Sequence, residues 1–193
     1  LRAAGHEPGG GPADVRPVLE RWREPHRRYH DLEHLSEVLI ALELLSAPPG
    51  VAQLAAFFHD AVYQAVPGDD ERRSAALAEE MLGPVLPAEA VSAVAAAVLA
   101  TSDHTPRTPE EHLLNDADLA ILAAPQARYA RYRAGVREEY AAYSGAQFAA
   151  GRRAVLADLL NRPRLFITDL AHHLWERRAR DNLAAELAGH EPS

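Results

Sequence analysis

The chain has 193 residues, a formal net charge of −8 and 48% hydrophobic residues, which suits one domain with a sizeable core. There is no cysteine and no lysine, and all 20 basic residues are arginine. This excludes disulfides, thiolate zinc sites, cysteine nucleophiles, lysine Schiff bases and lysine-dependent phosphate loops. The acidic balance argues against stable nucleic-acid binding, and no apolar run approaches the ~18 residues of a membrane span. With no charged-then-apolar leader pattern, the expectation is a soluble cytoplasmic protein.

Residues 1–12, rich in Gly and Pro, read as a flexible tail, and residues 13–193 as a single helical domain. A first helix is expected from Ala13-Asp14 to about Glu24. Asp31 or His30 opens a second, Leu32 to about Leu45, whose apolar positions recur every three or four residues. Pro48-Pro49-Gly50 ends it. Further helices are expected over Val51–Val62, Glu71–Leu82, Ala88–Thr101, Glu110–Leu122, Gln126–Tyr143, Gly145–Leu160 and Thr168–Leu187. Ala and Leu dominate and no segment alternates convincingly as a strand, so the class is all-α, a bundle of about eight or nine helices.

Titratable residues cluster at three places along this helical pattern. His59-Asp60 ends the apolar run Val51–Phe58, where bare burial of polar groups costs several kcal/mol. On its own the pair reads equally as a core histidine and a helix cap. His30 and His34, four apart, share one face if helical. They can share a metal, divide metal binding and substrate chemistry, or be exposed or core histidines. Asp116 and Asp118 sit among apolar neighbours, where paired acids need a counter-charge such as a divalent cation. One can cap a helix while the other coordinates.

The order His, His-Asp, Asp on separate helices resembles the HD-domain superfamily of metal-dependent phosphohydrolases, and in particular small bacterial predicted members. The stretches that carry the resemblance are Arg28–His34, Phe57–Tyr63, Asp70–Ala75, Thr101–His104 and Asp116–Leu122, within residues 25–170. The resemblance implies four metal ligands: His34, His59, Asp60 and Asp118. Tyr29-His30 followed by His34 is also similar to the motif of cyclic-nucleotide phosphodiesterases, which implies His30 as the general acid. Asp31 and Asp70 depart from that pattern, where Asn is expected, but neither is a proposed ligand.

Two imidazoles and two carboxylates suit a divalent transition metal (Mn, Fe, Co, Ni or Zn) better than Mg. Such an ion lowers its water's pKa to about 7. Asp60 can also reach a second ion, since a carboxylate can bridge. Glu71 either complements a helix dipole or faces the pocket as a catalytic group that orients water or binds metal. His104 is a candidate for a second metal, for phosphate or for a helix terminus. Arg152 is a candidate phosphate clamp beside Arg153, because a guanidinium matches phosphate in bidentate fashion, and Tyr140 is a further substrate-binding candidate. His112 reads as a surface residue, His172-His173 has the wrong spacing for a shared helix face, and His6, His26 and His190 have no context.

The expected function is hydrolysis of a phosphate ester of a nucleotide or small phosphorylated metabolite by metal-activated water. The alternatives are a di-iron oxygenase on the same fold, for which only His104 and His112 could supply extra ligands, and a non-catalytic nucleotide-binding protein. Homo-oligomerisation is left open.

Overall fold

The computed structural model describes residues 15–66 and 68–189. The tail expected over residues 1–12, and the start of the first helix, lie outside the described residues. Among those described, the chain is helical with no strand. In chain order the helices are α1 (Arg16–Arg21), α2 (Leu32–Leu44), α3 (Val51–Phe58), α4 (Asp69–Leu82), α5 (Ala88–Leu99) and α6 (Pro109–Asp118). A 3₁₀ turn, Leu119–Ala123, leads to α7 (Gln126–Glu139), α8 (Gly145–Asn161) and α9 (Asp169–Leu187). No helix among the described residues is long and apolar enough to cross a membrane.

Two apolar clusters organise these helices. One gathers Val18, Trp22, Leu42, Phe58, Val94 and Leu114 from α1 to α6. In it α4 packs on α5, and α3 on α5 and α6. The other joins α7, α8, α9 and the 3₁₀ turn through residues such as Tyr132, Leu156, Phe166 and Leu183. Leu113 and Trp175 pack against both clusters, so the two form one continuous interior.

Three helix ends shape the site: α2 starts where the sequence places it, whereas α3 and α7 end earlier than expected. Helix α2 begins at Leu32, because the Asp31 carboxylate accepts from the N–H groups of Glu33 (2.8 Å) and His34 (3.4 Å). His30 therefore lies outside the helix, and the His30/His34 pair does not share a helical face. Helix α3 stops at Phe58, not Val62. The carbonyls of Asp60 and Ala61 accept from the Arg27 guanidinium (2.8 and 3.1 Å), and the Val62 N–H donates to Ser74 Oγ (3.0 Å). Backbone groups that a longer helix would pair internally are satisfied by these side chains instead. Helix α7 ends at Glu139 rather than Tyr143, which leaves the Glu139 carboxylate free to reach residues 28–30.

That reach requires α7 to approach the segment before α2 closely. A Cβ added at Gly135 would meet the Arg28 carbonyl oxygen at 2.9 Å and Tyr29 Cβ at 3.1 Å. Gly135→Ala is therefore expected to cost about 1–3 kcal/mol, the usual penalty of overpacking against backbone. Urea denaturation checks this, and an unchanged midpoint would show that the segment can move away.

Candidate metal centre

The site forms where α2, the end of α3 and the end of α6 meet. His34 occupies the first turn of α2, His59 caps the C-terminus of α3, Asp60 follows it, and Asp118 ends α6. The fixed Asp31 cap places His34, and the early stop of α3 lets His59 and Asp60 turn towards it. His34 Nε2 lies 3.2 Å from His59 Nε2, 3.2 Å from Asp118 Oδ1 and 3.7 Å from Asp60 Oδ2. His59 Nε2 lies 3.2 Å from Asp60 Oδ2 and 3.6 Å from Asp118 Oδ1. Both imidazoles are buried, and the two carboxylates are 17% and 16% exposed, open on one side.

The outer nitrogens fix what the inner ones present. His59 Nδ1 donates to the Ala56 carbonyl at 2.8 Å, so its neutral form carries the proton there and aims a lone pair from Nε2. His34 Nδ1 lies 3.0 Å from the Tyr29 hydroxyl, which can accept its proton. The result is four acceptors facing one another. Burial opposes an imidazolium, yet Asp60 and Asp118 push His59 well above its ordinary pKa. Burial likewise opposes the carboxylates, yet His59 and His30 hold Asp60 low, and His34 and His59 hold Asp118 low. The cluster calls for positive charge at its centre.

A metal ion answers that demand. His34, His59 and Asp118 each offer a ligand atom within 4.8 Å of the others and could hold an ion. Donors at about 2.0–2.2 Å from an ion stand roughly 3.0–3.5 Å apart; the three separations of 3.2 Å fall in that range, and those of 3.6 and 3.7 Å lie just beyond it. An outer imidazole N–H held by a carbonyl is also the usual support of a metal-binding histidine. Trp22 walls the site, 5.3 Å from the His59 ring and 6.2 Å from that of His34, with its indole N–H on the Phe57 carbonyl (2.8 Å).

His30 stands beside this centre, its ring 5.7 Å from that of His34 and stacked on Tyr63 at 4.1 Å. Glu139 holds it. Oε2 accepts from His30 Nδ1 at 2.7 Å, and Oε1 accepts from the N–H groups of Arg28, Tyr29 and His30 at 2.7, 2.8 and 3.0 Å. The Glu139 side chain is 1% exposed. Although burial works against its charge, the His30 hydrogen bond keeps the carboxyl at about 2. For His30, burial favours the neutral ring, but Asp60 and Glu139 outweigh it and raise the pKa. Glu139→Gln is expected to cost about 1.5–3 kcal/mol, the range for a hydrogen bond to a charged group, and Glu139→Ala more, since three backbone donors then lose their acceptor. Thermal unfolding of the two variants checks the order, and equal stability with the native chain contradicts it.

Other sequence candidates divide by their partners. His104, Glu71, Tyr140 and Arg152 all line one cavity with His30, Asp60 and Asp118. Glu71 Oε2 accepts from the Gly68 N–H at 2.6 Å, capping α4. His104 sits in the left-handed region (φ 51°), 3.2 Å from Asn115 Oδ1 through Nδ1. Burial, with Glu71 and Tyr143 nearby, pushes the Tyr140 hydroxyl up to about 12. Arg152 is spent: it binds both Glu186 oxygens (2.8 and 3.1 Å) and the Tyr132 hydroxyl (2.8 Å), so its charge is matched inside the protein. Asp116 separates from Asp118 and takes no part in the cluster. It accepts from the N–H groups of Ile167 (2.8 Å) and Thr168 (2.7 Å) and from the Thr168 hydroxyl (2.8 Å), tying α6 to the start of α9. Neither His172 nor His173 lines the cavity.

Sequence reasoning missed Arg27 and Glu139. Arg27 is buried and donates to the carbonyls of His30 (2.6 Å), Asp60 and Ala61, binding the general-acid candidate to the His-Asp turn. It acts as a positioning residue. No local pattern marks either residue, because the contacts that join Arg27 to Asp60 and Glu139 to His30 span 33 and 109 positions.

No protein-family model, curated protein or solved structure matches this chain.

Proposed function

We propose that this protein is a metal-dependent phosphohydrolase of HD type, with His34, His59, Asp60 and Asp118 as the metal ligands. The observation that carries the reading is the convergence of four acceptors beside a histidine held by a buried glutamate. A divalent transition ion bound there supplies hydroxide from water near neutral pH and a Lewis acid for the phosphoryl oxygens. His34 and His59 contribute neutral nitrogens, oriented by Tyr29 and the Ala56 carbonyl. Asp60 and Asp118 contribute charge and leave the open side towards the cavity.

His30 is the general acid. The Glu139 carboxylate accepts a hydrogen bond from Nδ1–H, which leaves Nε2–H to donate to the departing ester oxygen. Asp60 and Glu139 raise the His30 pKa and so favour the protonated, donating form. Arg27 and Glu139 fix its backbone, so the donor's position does not depend on the substrate.

The test is hydrolysis by protein loaded separately with Mn, Fe, Co, Ni and Zn, on a panel of phosphomonoesters and phosphodiesters. Turnover with at least one metal, abolished by chelator, is expected. Inert protein in every metal form overturns the reading. Oxygen-dependent turnover with two irons per chain would replace it with the oxygenase.

A further inference from the structure

The cavity that opens from the metal centre has a volume of about 930 Å³, far more than a phosphate group fills and within the range of small-molecule sites. Its walls away from the centre carry aromatic and aliphatic side chains among polar ones. Tyr140 lies at the middle of an aromatic group, its ring 5.7 Å from that of Tyr143 and 6.0 Å from that of Phe148. At the same cavity Val66, Tyr143 and Val155 stay 48%, 43% and 51% exposed. Large apolar side chains left open along a concave wall are the surface that an apolar or aromatic ligand body covers.

The charge along these walls is unusual for a phosphate site. Two arginines line the cavity, and both are matched. Glu186 neutralises Arg152. Arg162 binds Asp158 at 2.9 Å and the carbonyls of Asp103 and His104 at 3.2 and 3.0 Å. Asp70, Glu71 and Asp103 add negative charge to the lining. Asp70 Oδ2 accepts from the Gln64 and Val66 N–H groups, while its buried Oδ1 has no hydrogen-bond partner among the described residues. Among the described residues, no arginine with unmatched charge faces the cavity. Positive charge is confined to the end that holds the metal ligands and His30.

We propose that the cavity selects an ester bearing a single phosphoryl group on an aromatic or apolar body, and that it discriminates against nucleoside di- and triphosphates. The inference rests on the phosphohydrolase reading above. One phosphoryl group sits at the metal end, where its charge is met. A di- or triphosphate chain carries about one or two further negative charges into a wall that offers carboxylates and aromatic faces, and like charge in a partly desolvated cleft is repelled. The aromatic body meets Tyr140, Tyr143 and Phe148 instead.

The experiment compares kcat/KM of the metal-loaded protein on p-nitrophenyl phosphate, glycerol phosphate, and the adenosine mono- and triphosphates, the last saturated with magnesium. Aryl and nucleoside monophosphates are expected to exceed both the triphosphate and glycerol phosphate by about ten-fold or more. A triphosphate hydrolysed as well as the monophosphate overturns the inference while leaving the phosphohydrolase reading intact. If no ester is hydrolysed, that reading fails, and calorimetric binding of the same mono- and triphosphate decides the inference separately: equal affinity overturns it, and preference for the monophosphate supports it. Val155→Arg, which adds an unmatched cation to the wall, is expected to narrow the preference. An unchanged preference in that variant contradicts the electrostatic origin.

Discussion

His59→Ala is expected to abolish the stabilisation of the protein by metal and to reduce hydrolysis by well over 100-fold. A ligand at 1,000 times its Kd stabilises the native state by about 4.1 kcal/mol, which for a chain of this length raises Tm by about 8–16 °C. The native protein should show such a rise on loading. The variant should show none, since it loses a donor that stands 3.2 Å from both His34 Nε2 and Asp60 Oδ2. Losing only an outer support of a metal ligand already costs 10–100-fold in affinity or activity, so loss of a ligand lies beyond that. The comparison uses each protein with and without metal, which separates the ligand effect from the cavity left against Trp22. Asp118→Asn sharpens it. The new amide can donate to the imidazole nitrogens, so the metal-free variant should be at least as stable as the metal-free native chain, yet unresponsive to metal. A full thermal response in either variant would place the ion elsewhere.

His30→Gln is expected to lower kcat by about 10²–10⁴, the contribution typical of a positioned general acid. Metal affinity should stay close to native, because His30 is held by Glu139 and lies outside the four-acceptor cluster. Equal losses of metal affinity and rate would instead make His30 a ligand. The pH profile gives a second reading. The working form is the protonated one and its pKa is raised, so His30 sets the alkaline limb, on which the rate falls as pH rises through that pKa. Glu139→Gln removes one of the charges that raise it, so the alkaline limb should move to lower pH. The same linkage acts on stability. The His30–Glu139 pair stabilises fully between the unfolded glutamate and histidine values of about 4.3 and 6.5; the histidine's share is lost as pH rises through its raised folded pKa, and the glutamate's as pH falls towards its folded value of about 2.

The helical class and most helices were legible because apolar periodicity and Pro/Gly stops are local signals. His34, His59, Asp60 and Asp118 stood out for a related reason: each titratable residue interrupts an apolar segment that must pack inside. What the sequence could not supply was long-range pairing. Helix α3 stops early because Arg27 and Ser74 take its backbone groups, and neither partner lies nearby in the chain. Arg152 resembled a phosphate clamp because Glu186, which neutralises it, is 34 residues away. Glu139 had no visible role until α7 was placed against residues 28–30, a placement that depends on the missing side chain of Gly135. Spacing alone does not separate Asp116 from Asp118, although the resemblance favours Asp118 as the ligand; the position of Thr168 makes Asp116 a structural latch.

The arrangement stands or falls on the ion. Elemental analysis of protein purified without added metal, giving both element and stoichiometry, tests it most directly. The account predicts a first-row transition metal at one ion per chain or more in the native protein, and its loss in Asp118→Asn. Native protein that carries no such metal, and takes none up from Mn, Fe, Co, Ni or Zn solutions, would contradict it.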